Sequence, residues 1–199
     1  LGPEDFPTVG DWVLLRLPVN AEDAGSIERL MPRHSSFTRK AAGRTSATQL
    51  VAANIDTVFI CMALDGNFNE RRVERYLAVA HASGAQPVVV LTKADLSADL
   101  PQQEAIVTAI AGAAVPVLTV DATSTAGILP LAAMIEAGQT YAFIGSSGVG
   151  KSTLINHLLG RDALATGAIR ASDAHGRHTT TGRELLLLPD GGIVIDTPG

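Results

Sequence analysis

Eight consecutive residues in the last third of the chain have the types and spacing of a phosphate-binding loop. They match the pattern G-x-x-x-x-G-K-[ST] and read Gly145, Ser146, Ser147, Gly148, Val149, Gly150, Lys151 and Ser152. The glycines let backbone N–H groups turn toward phosphate oxygens, and the start of a helix after them favours an anion. We expect Lys151 to contact the β- and γ-phosphates, Ser152 to bind Mg²⁺, and Thr153 to lie beside the same nucleotide. A glycine-rich turn that arose by chance is the alternative, but an apolar run precedes the segment and a helix-forming run follows it. The segment therefore predicts a nucleoside triphosphate site.

A second segment suited to a phosphate site follows an apolar run at 193–195. Asp196 can hold the hydration shell of Mg²⁺, and the backbone N–H of Gly199 can contact a γ-phosphate. By itself, the sequence Asp-Thr-Pro-Gly is a good turn. The phosphate loop in the same chain favours the nucleotide-site interpretation.

Four residues that follow an apolar run at 88–91 have the chemistry of a guanine site. They are Thr92, Lys93, Ala94 and Asp95. The Asp95 carboxylate can accept from both the ring N–H and the exocyclic amine of guanine, which adenine does not offer, and such paired bonds discriminate strongly. Lys93 can lie along the plane of the base. The alternative is that Asp95 caps a turn or the next helix.

A fainter signal of the same kind follows the next apolar run, at Asp121, Ala122 and Thr123. A backbone N–H at this position can meet the guanine carbonyl. An ordinary turn after a strand is the alternative.

A polar segment at 176–181, Gly-Arg-His-Thr-Thr-Thr, lies between the phosphate loop and Asp196. We expect Thr180 to give Mg²⁺ its second hydroxyl when the γ-phosphate is present, with Thr179 or Thr181 as alternatives. His178 is a candidate for orienting the attacking water, and an exposed loop histidine is the alternative.

Composition restricts the class of protein that these residues belong to. The 199 residues are 46% hydrophobic and 18% charged, with a net charge of −5, so the chain is neither disordered nor a polycation. Its single cysteine, Cys61, excludes a disulfide framework and a cysteine zinc cluster within these residues, and we expect it in the core. No apolar run approaches the about 18 residues of a membrane span and no signal peptide opens the chain, so we expect a cytoplasmic protein. We expect it to be a monomer. We also expect both ends to be cut.

From about residue 51 the chain alternates between apolar runs and helical stretches. Asn69 can cap a helix whose Val73 and Leu77 share one face. This alternation predicts an α/β fold, with a mostly parallel sheet covered by helices on both faces. The apolar runs are 58–64, 88–91, 115–120, 141–144 and 193–195, and the further helices are expected near 102–111, 128–137 and 151–159.

Residues 1–50 have a different pattern, in which short apolar stretches are separated by Gly, Pro and Asn and suggest strands of a small barrel. A basic stretch in this part can contact RNA, on whose bases Phe37 can stack, and a solvated loop is the alternative. Its bases are Arg29, Arg33, Arg39, Lys40 and Arg44.

The order of the motifs distinguishes the chain from ordinary GTPases, in which the phosphate loop precedes the guanine motif. Here the guanine motif comes first, and a circularly permuted sheet can still assemble the same site. The chain resembles the ribosome small-subunit-dependent GTPase A family (RsgA, also called YjeQ) from about Val9 to the end. The segments that carry this resemblance are 9–13, 27–35, 52–56, 75–77, 92–95, 145–152, 176–181 and 196–199.

The resemblance implies an OB-type barrel at 1–50, incomplete at its start, and a circularly permuted P-loop GTPase domain at 51–199. It also implies a carboxyl-terminal zinc domain beyond these residues. The implied function is GTP hydrolysis in late maturation of the small (30S) ribosomal subunit, stimulated by that subunit, with the basic stretch facing ribosomal RNA and His178 as a catalytic candidate.

Two residues depart from the patterns common among GTPases. Thr92 stands where asparagine is usual, so that one amide contact is lost or replaced by a hydroxyl, and Asp121 stands where serine is common. Two other functions use the same residues: a P-loop ATPase or phosphotransferase, and an RNA-binding module in which the nucleotide is structural.

Overall fold

The computed structural model describes residues 5–18, 20, 24–40, 48–164 and 184–196. From Thr57 to Leu159, strands and α-helices alternate in the order that the sequence predicts. The strands are β1 (Val13–Arg16), β2 (Ser26–Leu30), β3 (Ser36–Lys40), β4 (Thr48–Ala53), β5 (Thr57–Ala63), β6 (Gln86–Thr92), β7 (Val117–Thr119), β8 (Thr140–Ile144), β9 (Glu184–Leu187) and β10 (Ile193–Asp196). The α-helices are α1 (Glu70–Ser83), α2 (Leu100–Ala111), α3 (Leu129–Ala132) and α4 (Lys151–Leu159). No helix in the described ranges is both long and apolar enough to cross a membrane.

Six strands form one sheet in the order β7-β6-β5-β8-β10-β9. Every pair in it is parallel except β10 and β9, which are antiparallel. The mostly parallel α/β sheet is thus confirmed. Because parallel strands end at the same edge, the segments after β5, β6, β7, β8 and β10 all begin at one side of the sheet.

The central strand β5 shows why both faces of this sheet are covered. Its side chains alternate, with Val58, Ile60 and Met62 in one apolar cluster and Phe59, Cys61 and Ala63 in the other. Helices α1 and α2 contribute to the first cluster, and α3 and α4 to the second. Cys61 is a core residue as predicted, and its burial raises the pKa of its thiol to about 12.

Helix α1 begins where the sequence predicts. The Asn69 side chain accepts a hydrogen bond from the Arg72 N–H at 3.1 Å, and Gly84 ends the helix at φ 85°. Helix α2 begins at Leu100, slightly before the predicted start, because Asp99 caps it through the Gln102 N–H at 3.1 Å.

The helix predicted at 128–137 is wrong in length, because α3 has only four residues. The following backbone is bonded to a side chain from the sheet instead. The Tyr141 hydroxyl donates to the Met134 carbonyl at 3.0 Å and accepts from the Glu136 N–H at 2.8 Å. Strand β9 was not among the predicted strands.

The described part of residues 1–50 contains two separate antiparallel pairs, β1 with β2 and β3 with β4. A closed barrel stays a prediction. Phe37 does not fit the proposed stacking on RNA, because its side chain is only 7% exposed and packs in the same core cluster as Ala52 and Ala80. Its place in the strand register, opposite Ala52, turns it inward.

A polar junction attaches the amino-terminal segment to the rest of the chain. The Ala53 N–H donates to the Val9 carbonyl at 3.0 Å, and Asn54 Nδ2 donates to the Gly10 carbonyl at 2.9 Å. Gly10 has φ 88°, and a Cβ there would lie 2.0 Å from the Ala53 carbonyl oxygen, so only glycine fits.

The same junction contains a buried ion pair. The Arg33 guanidinium donates to both carboxylate oxygens of Asp11 at 2.7 Å, and the two side chains are 15% and 1% exposed. Burial acts to raise the pKa of Asp11, but its bonds from Arg33 and the Thr8 N–H outweigh this and hold the pKa below its ordinary value. The pair therefore stabilises the fold above the ordinary carboxyl range, and its contribution is lost as the pH falls through the lowered pKa.

Replacing Arg33 with methionine should lower the free energy of unfolding by about 2–4 kcal/mol, because Asp11 would be left buried without its partner. Arg16→Met is the matched control, since Arg16 pairs with Glu28 on the surface and is 74% exposed. That variant should be nearly as stable as the parent. Urea unfolding of the three proteins measures the difference, and equal losses in both variants would contradict the assignment.

Candidate functional site

The predicted site residues that the structure describes lie at one edge of the main sheet. The phosphate loop follows β8, the guanine motif follows β6, and residues 121–123 follow β7. Asp196 is the last residue of β10, which lies beside β8. The permuted order of the motifs thus does not prevent them from sharing an edge.

The phosphate loop has the backbone conformation that its glycines predict. Gly145, Gly148 and Gly150 have φ values of 155°, 75° and 104°, which residues other than glycine rarely adopt. A Cβ on Gly145 would also lie 2.6 Å from the Cys61 carbonyl oxygen. The loop therefore passes directly over β5 and leads into α4, whose first N–H groups have no partner within the helix.

Lys151 folds back over this loop. Its Nζ donates to the carbonyl oxygens of Gly145 at 2.7 Å and Ser146 at 3.1 Å. The ammonium group is therefore held against the first two residues of a loop that leads into a helix N-terminus, which itself favours an anion. Ser152 and Thr153 are partly exposed in the first turn of α4.

Thr92 connects the guanine motif to the phosphate loop. Its hydroxyl donates to the Val149 carbonyl at 2.7 Å, and the residue is 1% exposed. The same hydroxyl lies 3.5 Å from the Met62 carbonyl. At the position where asparagine is usual among GTPases, the Thr92 hydroxyl therefore makes a contact with the phosphate loop.

Replacing Thr92 with valine should cost about 1–2 kcal/mol of stability, because the shape is kept while the buried Val149 carbonyl loses its donor. We expect the Kd for GDP to rise about 3- to 10-fold, since the loop is then less firmly placed. Thr92→Ser, which keeps the hydroxyl, is the control. If calorimetry gives the valine and serine variants the same affinity, the hydroxyl has no part in positioning the loop.

Asp95 is exposed in a short turn, Ala94–Leu96, at the end of β6. It does not cap α2, which is capped by Asp99. Within the described residues its carboxylate has no hydrogen bond or ion pair with the protein. The structural alternative considered for Asp95 is therefore not observed, and its oxygens remain available to a ligand.

Lys93 is held by Asp65, a residue outside the sequence motifs. Its Nζ donates to Asp65 Oδ2 at 2.8 Å, and Asp65 Oδ1 accepts from the Asn67 N–H at 2.9 Å. The hydrogen bond from Lys93, followed by that from Asn67, holds the pKa of Asp65 below its ordinary value. Lys93 has φ 56°, an uncommon conformation for a residue other than glycine, and the ion pair restrains its side chain there.

The loop after β7 is closed by its own aspartate. Asp121 Oδ1 accepts from the Thr123 N–H at 2.8 Å and from the Thr123 hydroxyl at 2.6 Å, which lowers the pKa of Asp121. Within the described residues, the Ala122 N–H has no protein acceptor. The Nε2 of His157, in α4, lies 3.0 Å from the Ala122 carbonyl oxygen.

The residues at this edge fit a magnesium ion that a nucleotide brings with it. Ser152 supplies a hydroxyl at the start of α4, and Asp196 supplies a carboxylate at the end of the neighbouring strand. No cluster of three or more His, Cys, Asp or Glu side chains suited to a metal is found in the described ranges. Mg²⁺ needs none, because it is commonly held by one or two protein oxygens together with phosphates and water.

Some predicted site residues lie outside the described residues. They are His178, Thr180 with its alternatives Thr179 and Thr181, and Gly199. Their roles stay predictions.

Comparison with known proteins identifies the family of the chain. A model of the RsgA GTPase family matches residues 30–199. The "Small ribosomal subunit biogenesis GTPase RsgA 2" of Lactiplantibacillus plantarum is 51% identical over 197 residues, which are 99% of this chain and 55% of that protein. The chain belongs to the RsgA GTPase family. It spans about half the length of this relative.

Solved structures of similar proteins agree with the fold described above. YjeQ from Thermotoga maritima is 26% identical, with a TM-score of 0.70 over 98% of this chain and 61% of that one. YloQ, described as a circularly permuted GTPase, is 22% identical with a TM-score of 0.64, over 98% of this chain and 57% of that one, and supports the fold alone. Membership of the RsgA family does not favour the ATPase, phosphotransferase or purely RNA-binding alternatives.

Two contacts at this RsgA site were missed by sequence reasoning. Asp65 holds Lys93, and Arg72 of α1 donates from Nη1 to the Ser146 hydroxyl at 3.2 Å. Neither belongs to a motif with a known spacing. The available signal was their place in the segment that follows β5 and begins α1, at the edge where the site was expected.

Proposed function

We propose that this chain binds GTP with Mg²⁺ and hydrolyses it, as part of a protein that acts in maturation of the small ribosomal subunit. The observation that carries the proposal is the Thr92 hydroxyl on the Val149 carbonyl, which ties a guanine motif to a phosphate loop. An exposed Asp95 carboxylate without a described partner supports the choice of guanine.

In the proposed reaction a water oxygen attacks the γ-phosphorus in line, the bond from that phosphorus to the β,γ-bridging oxygen breaks, and GDP and inorganic phosphate leave. Lys151 and the loop N–H groups stabilise the negative charge on the phosphate oxygens. Ser152, Asp196 and Thr180 would hold Mg²⁺, which would supply further positive charge against the phosphate oxygens. His178 orients the water, and Gly199 contacts the γ-phosphate through its N–H.

The guanine base is bound by the segments after β6 and β7. Asp95 accepts from the base, Lys93 lies along its plane, and the N–H of Ala122 donates to its carbonyl oxygen. Thr123 and Ala94, in the same two segments, also contact the bound base. Asp121 acts indirectly, by closing the loop that presents the Ala122 N–H.

The proposed partner is the small ribosomal subunit, because the relative with 51% identity carries that name. We propose residues 1–50 as an OB-type barrel that faces ribosomal RNA, and 51–199 as the permuted GTPase domain. Arg29 is exposed on β2 and suits such a role. Arg33 suits it less, because its guanidinium is bonded to Asp11. The remaining proposed contacts are Arg39, Lys40 and Arg44.

Turnover of GTP by the intact protein, with and without purified small subunits, tests this proposal. We expect slow hydrolysis alone and strong stimulation by small subunits. Large subunits at the same concentration are the control and should have little effect. Hydrolysis that neither particle changes would leave a GTPase with a different partner, and preference for ATP would contradict the guanine site.

A further inference from the structure

Arg72 places a second cation on the phosphate loop, beside Lys151. It lies in the first turn of α1, and its Nη1 donates to the Ser146 hydroxyl at 3.2 Å and lies 3.5 Å from the Asn67 carbonyl oxygen. Lys151 donates to the backbone carbonyl of the same Ser146. One residue of the loop is therefore bonded to two positively charged side chains that come from different helices.

The charge on Arg72 is not balanced by the protein where the structure describes it. The side chain is partly buried, and among the described residues no carboxylate lies within ion-pair distance of it. Asp65, a carboxylate in the loop before α1, is already bonded to Lys93. A partly buried guanidinium without a counter-ion is unfavourable unless a ligand supplies the negative charge.

We propose that Arg72 is a positioning residue of the nucleotide site, which holds Ser146 and whose positive charge favours a bound triphosphate over a diphosphate. This inference rests on the proposed function. Ser146 is the second residue of the phosphate loop. The Arg72 guanidinium is bonded to it and therefore lies within the electrostatic field of the bound phosphates. The γ-phosphate adds negative charge to that field, and binding of GTP therefore gains more from Arg72 than binding of GDP.

Three variants of the intact protein separate charge from hydrogen bonding. Arg72→Gln keeps a donor for Ser146 and loses the charge, whereas Arg72→Lys keeps the charge. Arg71→Gln is the matched control, because Arg71 is the exposed neighbour on the same helix. The affinities for GDP and for the non-hydrolysable analogue guanosine 5′-(β,γ-imido)triphosphate are measured with Mg²⁺ by calorimetry.

We expect Arg72→Gln to raise the Kd for the triphosphate analogue about 5- to 20-fold and that for GDP about 2- to 3-fold. Arg72→Lys should stay close to the parent, and Arg71→Gln should match it. The loss should shrink when the salt rises from about 0.1 M to about 1 M, because the Debye length falls from about 10 Å to about 3 Å.

Equal losses for both nucleotides that salt does not change, or a lysine variant as weak as the glutamine variant, would overturn the role of the charge. An Arg72→Gln variant that binds both nucleotides as the parent does would overturn the inference altogether. If the parent itself binds neither guanine nucleotide, the proposed function fails, and this result differs from all the others.

Discussion

Replacing Asp95 with alanine should raise the Kd for GDP about 100- to 1,000-fold while leaving the weak affinity for ADP unchanged. The carboxylate can accept two hydrogen bonds from guanine, and bonds to a charged group contribute about 1.5–3 kcal/mol each. Adenine offers neither donor in that arrangement, so its binding has nothing to lose. The effect is large because no described protein group donates a hydrogen bond to the Asp95 carboxylate, so both of its oxygens can accept from the base.

Asp99→Ala is the matched control, because Asp99 lies four residues further along and caps α2. It should cost about 1 kcal/mol of stability and leave both affinities unchanged. Asp95→Asn should bind xanthosine diphosphate more tightly than the parent does. Its amide can accept a hydrogen bond from the ring N–H of xanthine and donate one to the second carbonyl of that base. A parent protein that binds ADP as tightly as GDP would refute the assignment, as would an alanine variant without loss.

The main sheet could be predicted because its strands are continuous apolar runs. Strand β5 is buried on both faces, and no polar residue interrupts the sequence from Val58 to Leu64. The length of α3 could not be predicted, because its continuation depends on Tyr141. That side chain reaches the backbone at 134–136 from the next strand and offers it bonds that compete with those of a helix.

The motif residues at the site could be predicted from their spacing, but the contacts that position them could not. Thr92 and Val149 are 57 residues apart, and Arg72 and Ser146 are 74 residues apart. Such pairs have no local pattern, because they form only when two parallel strands bring their ends to the same edge. Phe37 shows the converse error, since its basic neighbours suggested an RNA surface while its strand register turns it into the core.

Removing the charge of Lys151 should separate catalysis from folding. Lys151→Ala should reduce GTP hydrolysis about 100- to 1,000-fold, which is the usual loss when one preorganised electrostatic group is removed from a phosphate or oxyanion site. The fold should persist, because the described contacts of Nζ are with two loop carbonyls at a partly exposed position. Single-turnover hydrolysis at saturating GTP and urea unfolding without nucleotide measure the two effects on the same samples.

Arg161→Ala is a suitable control for this variant, since Arg161 is an exposed cation just beyond the end of α4 and is not part of the loop. It should leave hydrolysis unchanged. If the nucleotide only supported the fold of an RNA-binding module, Lys151→Ala would lower stability and there would be no parent hydrolysis to lose. Loss of turnover with unchanged unfolding and retained RNA binding is therefore the result that identifies Lys151 as part of a catalytic site.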